Sequence, residues 1–462
     1  MPLKLLVKTM GCKVNTYESE AIMEVFKNRG YDVLQTDEAA EKADIFVINT
    51  CTVTHIADRK SRQIIRRFRR NNPDALVVVT GCYAQIAPDE VLAVDGVDLV
   101  LGNAEKNKLP DIVEKAIKDD CKVKGINVSD ISTISCFDES FSISEMNDRA
   151  RAFVKIEEGC NRFCSYCIIP YARGPVRSRN RTAILNEVQR LVCAGYKEIV
   201  LTGINTALYG CDNQSELGKG ALCQLLASIE DLPGDFRVRL SSLEPTVINA
   251  DFIKDLFPFE RLCHHIHLSL QSGSDAVLQN MRRRYKSEEY IKIVDAIREF
   301  DPLYGITTDI IVGFPGETDR DFHYTVDMVQ KCRFSKVHIF KYSDRKGTIA
   351  ADFRDKVAAD IKEKRSLELE AVSNEVANEF AALNVNADTQ LLIEEVFPAE
   401  EKLIAAGYSD NYLRTGFEIM PEFRGCTAVG DLVKVHICAA DGTNLISGNP
   451  FADRRIFERT RR

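Results

Sequence analysis

The sequence predicts a three-part α/β protein: a flavodoxin- or Rossmann-like parallel-sheet domain, a central partial (βα)6 barrel, and a small C-terminal β-barrel of OB type. Three observations carry this. Over the first hundred residues, apolar runs at Leu3 to Lys8, Ala43 to Asn49 and Ala75 to Thr80 alternate with helical patterns, the texture of parallel βαβ units. Farther on, six strand-like runs each lead into a loop and then a helical stretch, two units short of a closed eightfold barrel. After Asn384 the helical period gives way to short β-like runs with glycine-rich turns. The expected division is 1–120 for the first domain, 121–147 for a linker, 148–383 for the barrel, 384–450 for the last domain and 451–462 for a basic tail.

Composition admits this architecture and excludes others. Of 462 residues, 45% are apolar and 28% charged, an ordinary globular balance. The formal charge is −8, from 61 Lys and Arg against 69 Asp and Glu, so any nucleic-acid contact must come from local patches. Nowhere do 18 consecutive apolar residues occur, and Met1 to Val14 holds too short an apolar run for a signal peptide. A cytoplasmic protein is expected, with neither a membrane nor DNA as partner. Fifteen cysteines, an odd set without a regular framework, argue against a disulfide scaffold.

Each of the first three strands stops at a cysteine: Cys12, Cys51 and Cys82. In a parallel sheet, ligands sit beyond the carboxyl ends of the strands, so residues 39 and 31 apart in sequence converge on one edge. The expectation is a three-thiolate site; the alternative is three unrelated buried cysteines. The helix after Cys51, with Thr52 or Thr54 as N-cap, aims its positive end toward that edge. It carries Arg59, Lys60, Arg62, Arg66, Arg67, Arg69 and Arg70 against Asp58, which reads either as a solvated face or as a phosphate-binding surface.

The stretch from Cys121 to Arg149 is polar and reads as a linker with a short strand or two. The barrel strands then follow at Phe153 to Glu158, Glu198 to Thr202, Arg237 to Leu240, His265 to Leu270, Ile306 to Val312 and Lys336 to Tyr342. Beyond the first lies Gly-Cys-Asn-Arg-Phe-Cys-Ser-Tyr-Cys, which spaces Cys160, Cys164 and Cys167 as CxxxCxxC. Soft thiolates suit iron or zinc. A closed zinc site takes four ligands, and no fourth Cys or His follows at finger-like spacing, so a 4Fe-4S cluster with one iron left open is the better match.

At these residues the chain resembles the radical S-adenosylmethionine (SAM) superfamily, with the aromatic Tyr166 before the last cysteine. The surroundings Gly11-Cys12-Lys13-Val14-Asn15, Asn49-Thr50-Cys51-Thr52 and Gly81-Cys82-Tyr83-Ala84-Gln85 resemble the methylthiotransferase branch, whose first domain carries an auxiliary 4Fe-4S cluster. Gly-Cys-Lys-Val-Asn is similar to the bacterial subgroup acting on threonylcarbamoyladenosine in tRNA.

The resemblance implies two 4Fe-4S clusters, on Cys12, Cys51 and Cys82 and on Cys160, Cys164 and Cys167, with SAM as cofactor. It implies SAM-binding roles for Tyr166, for Thr202, Gly203 and Asn205 after the second strand, for Ser242 and Glu244 after the third, for Gln271 after the fourth and for Gly313 after the fifth. Read from the residues alone, each is also an ordinary polar or turn position. The implied reaction is methylthiolation of C2 of N6-threonylcarbamoyladenosine at position 37 of tRNA, with the anticodon loop and an electron-donor protein as partners. Isopentenyladenosine in tRNA and a ribosomal-protein aspartate are the other substrates of the branch. Cysteine content by itself also admits a non-catalytic iron-sulfur RNA-binding protein.

Arg173, Arg177, Arg179 and Arg181, with Arg282, Arg283 and Arg284, are expected on the barrel rim, facing an anionic substrate. Asp355 to Leu383 reads as one or two helices. Ala406 to Tyr412 resembles the TRAM domain, an RNA-binding module. Residues 385–450 carry ten acidic against four basic side chains, however, so RNA contact there falls to aromatic and backbone groups and to the tail arginines 454, 455, 459, 461 and 462.

Overall fold

The computed structural model describes residues 2–34, 43–118, 124–147, 150–212, 220–423, 425 and 427–450. The basic tail at 451–462 lies outside the described residues. In the first part, β1 (Lys4–Thr9), β2 (Asp32–Leu34), β3 (Ile45–Thr50), β4 (Leu76–Gly81), β5 (Leu99–Leu101) and β6 (Gly125–Asn127) form a parallel sheet in the order β2-β1-β3-β4-β5-β6. β3 is buried along its whole length, as a central parallel strand covered on both faces must be.

The helices Lys13–Asn28 and His55–Asn71 make the first two crossovers. Thr54 caps the second, its hydroxyl accepting from the Ala57 N–H at 3.3 Å. Thr52 instead donates to Asp58 at 2.9 Å. The first sheet runs on through β6 into the stretch read as a linker. Farther along that stretch Phe141, Ile143 and Met146 are buried in a core shared with the barrel.

The barrel strands are β7 (Ala152–Lys155), β10 (Glu198–Thr202), β11 (Arg237–Leu240), β12 (Ser242–Leu243), β13 (His265–Leu268), β14 (Gly305–Val312) and β15 (Lys336–Lys341). Sets β11-β10-β7 and β12-β13-β14-β15 are each parallel. Because β11 and β12 are consecutive stretches interrupted only at Ser241, six strand positions form one open ring. A two-residue antiparallel pair, β8 (Glu157–Glu158) with β9 (Arg177–Ser178), brackets the cysteine loop between them. A single helix, Ala359–Ala382, crosses to the last part.

There β16 (Asp388–Ala399), β17 (Lys402–Ser409), β18 (Arg414–Ile419), β19 (Leu432–Asp441) and β20 (Asn444–Ser447) close in the order β16-β17-β18-β20-β19. Leu391, Ile393, Phe417 and Ile437 fill the interior. This barrel plugs the amino ends of the central strands. Arg237 donates to the carbonyls of Gln390 and Tyr408 at 2.8 and 3.0 Å, and Arg239 to those of Asp410 and Ser409 at 2.8 and 3.2 Å. Both arginines are buried against Glu198, whose carboxyl they hold well below the usual range against the opposing effect of burial. Tyr408 and Tyr412 of the TRAM-like stretch are engaged in the same contact, under the Arg151 guanidinium.

Candidate active site

The three strand-end cysteines come together at one edge, and glycine makes the approach close. Gly11 and Gly81 have φ of +101° and +96°. A Cβ on Gly11 would lie 2.6 Å from Cys51 Cβ and 2.9 Å from its Sγ, and one on Gly81 would lie 2.4 Å from the Thr50 carbonyl. Asn15 ties the strand ends by donating to Met10 and Thr50 carbonyls at 2.6 and 3.0 Å. Burial pushes the Cys51 thiol up to about 12, and the neighbouring Cys82 and Cys12 add to it.

The CxxxCxxC loop is held differently, by bonds to its own flank and to the distant Asn280–Met281 and Ala350 segments. Cys160 N–H donates to the Gly174 carbonyl at 3.0 Å, Cys167 N–H to Cys164 at 3.0 Å, and the Ser165 hydroxyl to Asn280 at 2.7 Å. Gly159, at φ +84°, runs so close to β9's approach that a Cβ would meet the Pro175 carbonyl at 1.9 Å. Burial raises the Cys160 thiol to about 12 and the Cys167 thiol further, with Cys164 contributing to both.

Each set keeps one buried guanidinium on a sulfur. Arg283 donates to Cys164 Sγ at 3.4 Å and pairs with Glu244. Arg173 donates to Cys82 Sγ at 3.3 Å, to Glu158 at 2.8 Å, and to Glu18 and Asn15. Arg173 ends the helix Ile169–Arg173, which begins two residues after Cys167, so a residue of the loop set serves the strand-end set. Lys106 and Lys155 complete this buried network by pairing with Glu18. Lys155 and Arg173 hold the Glu158 carboxyl at about 2, although burial works against them.

The rim expectation for the arginines is thereby corrected. Arg173, Arg177 and Arg179 are buried, Arg179 against Glu187, and Arg283 is engaged with Glu244. A guanidinium finds a fixed carboxylate or carbonyl partner at the domain junction and is spent there. Arg181, Arg282 and Arg284 remain exposed. On the helix after Cys51, Arg62 pairs with Glu90 and Arg69 with Asp98, while Arg59, Lys60, Arg66, Arg67 and Arg70 are exposed.

Among the described residues, no three His, Cys, Asp or Glu side chains stand close enough to hold a single ion. A cubane cluster binds each cysteine at a different iron, so its thiolates stand wider apart than those around one ion. Three soft donors and one buried cation per set match an anionic cluster with a free iron.

A cavity of about 200 Å³ opens beside Cys167, lined by Tyr166, Ile168 and Ile169 of the loop, Gln271, Asp309, Ile311 and Phe340 of the barrel, and Val53 and Thr54 of the first domain. Thr202, Asn205, Ser242 and Glu244 stand at neighbouring strand ends. The Asn205 amide donates to Glu244 at 3.4 Å, Arg162 pairs with Glu244 at 2.7 Å, and Thr202 accepts from Ser241 at 3.3 Å. Asn205 Oδ1 and Glu157 Oε1 are buried without a partner. A Cβ on Gly203 would come within 2.5 Å of Glu157 Oε2. Gly313 lies away from this cavity, its φ of +70° turning the chain past Lys362, which leaves no room for a Cβ.

Sequence reasoning missed the tier below the cavity. His267 contacts Thr307 at 3.0 Å and Asp309 at 3.2 Å, and His265 contacts Thr307 at 3.0 Å. Strand alternation on β13, β14 and β15 was the signal that could have found it, since these residues fall two apart along each strand. Lys13 reaches the same region. Burial pushes its ammonium down to about 8, helped by Arg151 and Arg239.

Residues 4–102 match the uncharacterized protein family UPF0004, and residues 154–329 match the radical SAM superfamily. The chain is 40% identical to threonylcarbamoyladenosine tRNA methylthiotransferase MtaB of Bacillus subtilis (strain 168), over 94% of this chain and 93% of that protein. To the protein of the same name from Thermotoga maritima it is 37% identical, over 89% and 90%. To tRNA-2-methylthio-N(6)-dimethylallyladenosine synthase of Carboxydothermus hydrogenoformans it is 35% identical, over 93% and 95%. In fold it is similar to the radical SAM methyltransferase TsrM of Kitasatospora setae, with a TM-score of 0.56 at 15% identity, covering 76% of this chain and 77% of that one. No helix among the described residues is long and apolar enough to cross a membrane.

Proposed function

The chain belongs to the tRNA methylthiotransferases of the radical SAM superfamily, and on that premise we propose that it replaces the C2 hydrogen of N6-threonylcarbamoyladenosine at position 37 of tRNA with a methylthio group. The observation that carries the substrate is the 40% identity to the Bacillus subtilis enzyme of that activity along nearly the whole chain. Two 4Fe-4S clusters and SAM are its cofactors; when bound, they supply the sulfur, the methyl group and the radical that opens a C–H bond no side-chain base can deprotonate.

In this reading Cys160, Cys164 and Cys167 hold one cluster and Cys12, Cys51 and Cys82 the other. Tyr166 and Gln271 line the cavity that would take SAM, and Thr202, Gly203, Asn205, Ser242 and Glu244 would offer it polar anchors at the neighbouring strand ends. Gly313 shapes the turn behind them. Glu244, tied to Arg162 and Arg283, is held rigid beside the loop cysteines. Glu157, whose carboxyl burial pushes well above the usual range, stands beside Gly203 and accepts the Asn205 N–H at 3.0 Å. Arg173 and its carboxylates fix the first domain over the barrel mouth.

Phosphates of the anticodon arm meet the five exposed cations of the helix His55–Asn71, whose first turn adjoins the cavity at Thr54. A separate protein donates the electron, and the work is cytoplasmic, where tRNA is. Mass spectrometry of tRNA nucleosides from a deletion strain tests the substrate: methylthio-threonylcarbamoyladenosine should vanish. Its persistence, with loss of methylthio-isopentenyladenosine, would favour the second reading, which rests on the 35% identity to the dimethylallyladenosine enzyme.

A further inference from the structure

The lumen of the open barrel changes character with depth. The register pairs Ile311 with Phe340 at the level of the cavity and, two residues deeper, Asp309 with His338; the neighbouring strand pairs His267 with Thr307. Alternation puts Thr307, Asp309 and Ile311 on one face of β14, and His338 and Phe340 on one face of β15. Thus an apolar ceiling of Ile311 and Phe340 gives way to a polar tier of His267, Thr307, Asp309 and His338.

That tier is only partly satisfied. His267 bridges Thr307 and Asp309, and its ring stands 5.9 Å from that of His338. His338 is exposed and makes no hydrogen bond among the described residues, and His265 Nδ1 is buried without a partner. Lys13 reaches the same space from the first domain and has no hydrogen-bond or ion-pair partner among the described residues. Its charge is felt at both His265 and His338. Of the nearby carboxylates among the described residues, Asp309 is occupied by His267 and the deeper Glu198 by Arg237 and Arg239, which leaves His338 and Lys13 free to take an anion.

We propose that this tier is the specificity site for the N6 substituent of the substrate adenosine, with His338 and Lys13 taking its carboxylate and Thr307 and Asp309 its hydroxyl and amide groups. The assignment rests on the substrate reading above. A threonylcarbamoyl tail ends in a carboxylate and carries a hydroxyl and an N–H, so it supplies a partner for each group. An isopentenyl tail is hydrocarbon and would bury the same groups unpaired. Sites built to hydrogen-bond a substrate reject the analogue lacking those bonds far more strongly than apolar pockets reject an added group.

The test uses the full-length protein with both clusters reconstituted and SAM present, but no reductant, so that binding is read without turnover. Three anticodon stem-loops serve as probes, carrying threonylcarbamoyladenosine, its carboxylate methyl ester, and isopentenyladenosine. The wild type should favour the acid over the ester by roughly 10- to 100-fold, the range for a hydrogen-bonded charge. His338→Ala, on the exposed edge strand, should bind acid and ester alike, and Lys13→Met should lose part of the preference, with iron content reporting that each variant is folded. Variants that separate acid from ester as well as the wild type does would overturn the proposal, as would a His338→Ala effect on SAM affinity alone. A wild type that binds the isopentenyl stem-loop in preference and, in a parallel reaction with reductant added, methylthiolates it in preference would overturn the substrate reading itself, whatever the variants do.

Discussion

The two cysteine sets reach similar ends by opposite routes. Cys160, Cys164 and Cys167 lie within eight residues of one loop, which is bonded to its flank at Gly174 and braced at Ser165 by Asn280, Met281 and Ala350. Cys12, Cys51 and Cys82 span 71 residues and meet only because three parallel strands end side by side, with Gly11 and Gly81 permitting the approach. Yet each set ends with a buried arginine on one sulfur, Arg283 on Cys164 and Arg173 on Cys82. A loop can carry a site wherever it is placed. A site gathered from strand ends depends on the whole sheet, and here also on a residue lent by the other set.

The sharpest way to separate the sets is to remove each. Replacing Cys160, Cys164 and Cys167 by alanine should abolish SAM cleavage as well as product. Replacing Cys12, Cys51 and Cys82 should abolish methylthiolation, halve the iron and sulfide content, and leave 5'-deoxyadenosine formation measurable. Unchanged iron in the second variant would break the comparison, because it would mean that the strand-end set binds none.

Next in size is the lent arginine. Arg173→Met takes one cation from the buried Glu18 and Glu158 carboxylates, which keep Lys106, Lys155 and Arg177, so the cost is at most the about 3–5 kcal/mol of a buried charge left uncompensated. Thermal unfolding should shift down, and iron should be lost selectively from the strand-end set, read as a change in the reduced cluster's electron paramagnetic resonance signal. Arg283→Met should disturb the loop set's signal instead. If both variants alter the same signal, the two guanidinium groups do not divide between the sets as their hydrogen bonds indicate.

Acid should act on the junction before it acts on either set alone. Glu158 is held at about 2, below its unfolded value, so its contribution to stability is complete above roughly pH 4.5 and fades as pH falls toward 2. Unfolding temperature should accordingly hold steady from pH 7 to about 5 and decline below that. Glu158→Gln should flatten the decline.

The smallest effect concerns the helix that follows Cys51. Arg66→Glu and Arg67→Glu, at positions exposed and without an ion pair among the described residues, should weaken tRNA binding modestly and lower its salt dependence by about 0.7–0.9 in log–log slope per lost phosphate contact. Arg69→Glu should cost stability instead, because Arg69 is engaged with Asp98 and with the Gly96 carbonyl.

Much of this molecule was legible in its residues. The three N-terminal strands appear within a residue or two of their apolar runs, because burial on both faces demands near-continuous apolar residues, and all six barrel positions fall where strand-like runs precede helical ones, several of them alternating apolar with polar residues as in Arg-Val-Arg-Leu and His-Ile-His-Leu. The CxxxCxxC loop could be read directly, since its geometry is local. The convergence of Cys12, Cys51 and Cys82 could be inferred from topology, a rule about strand ends that holds without coordinates.

Charge partners could not be read this way. Arg173 looks like any cation in a basic stretch until the fold sets it against Glu18, 155 residues earlier, and Arg239 looks like a strand residue until the last barrel offers it the Ser409 and Asp410 carbonyls. A run of arginines fixes charge density but not whether water or carboxylate meets it, and that is decided by which surfaces dock. The sequence by itself determined the strands, the ligand types and the edge on which they meet, because these follow from local pattern and parallel topology. Only the tertiary structure decided which cations are buried at the junction, which remain for RNA, and that the lumen beneath the cavity is polar, because each depends on contacts between residues far apart in the chain.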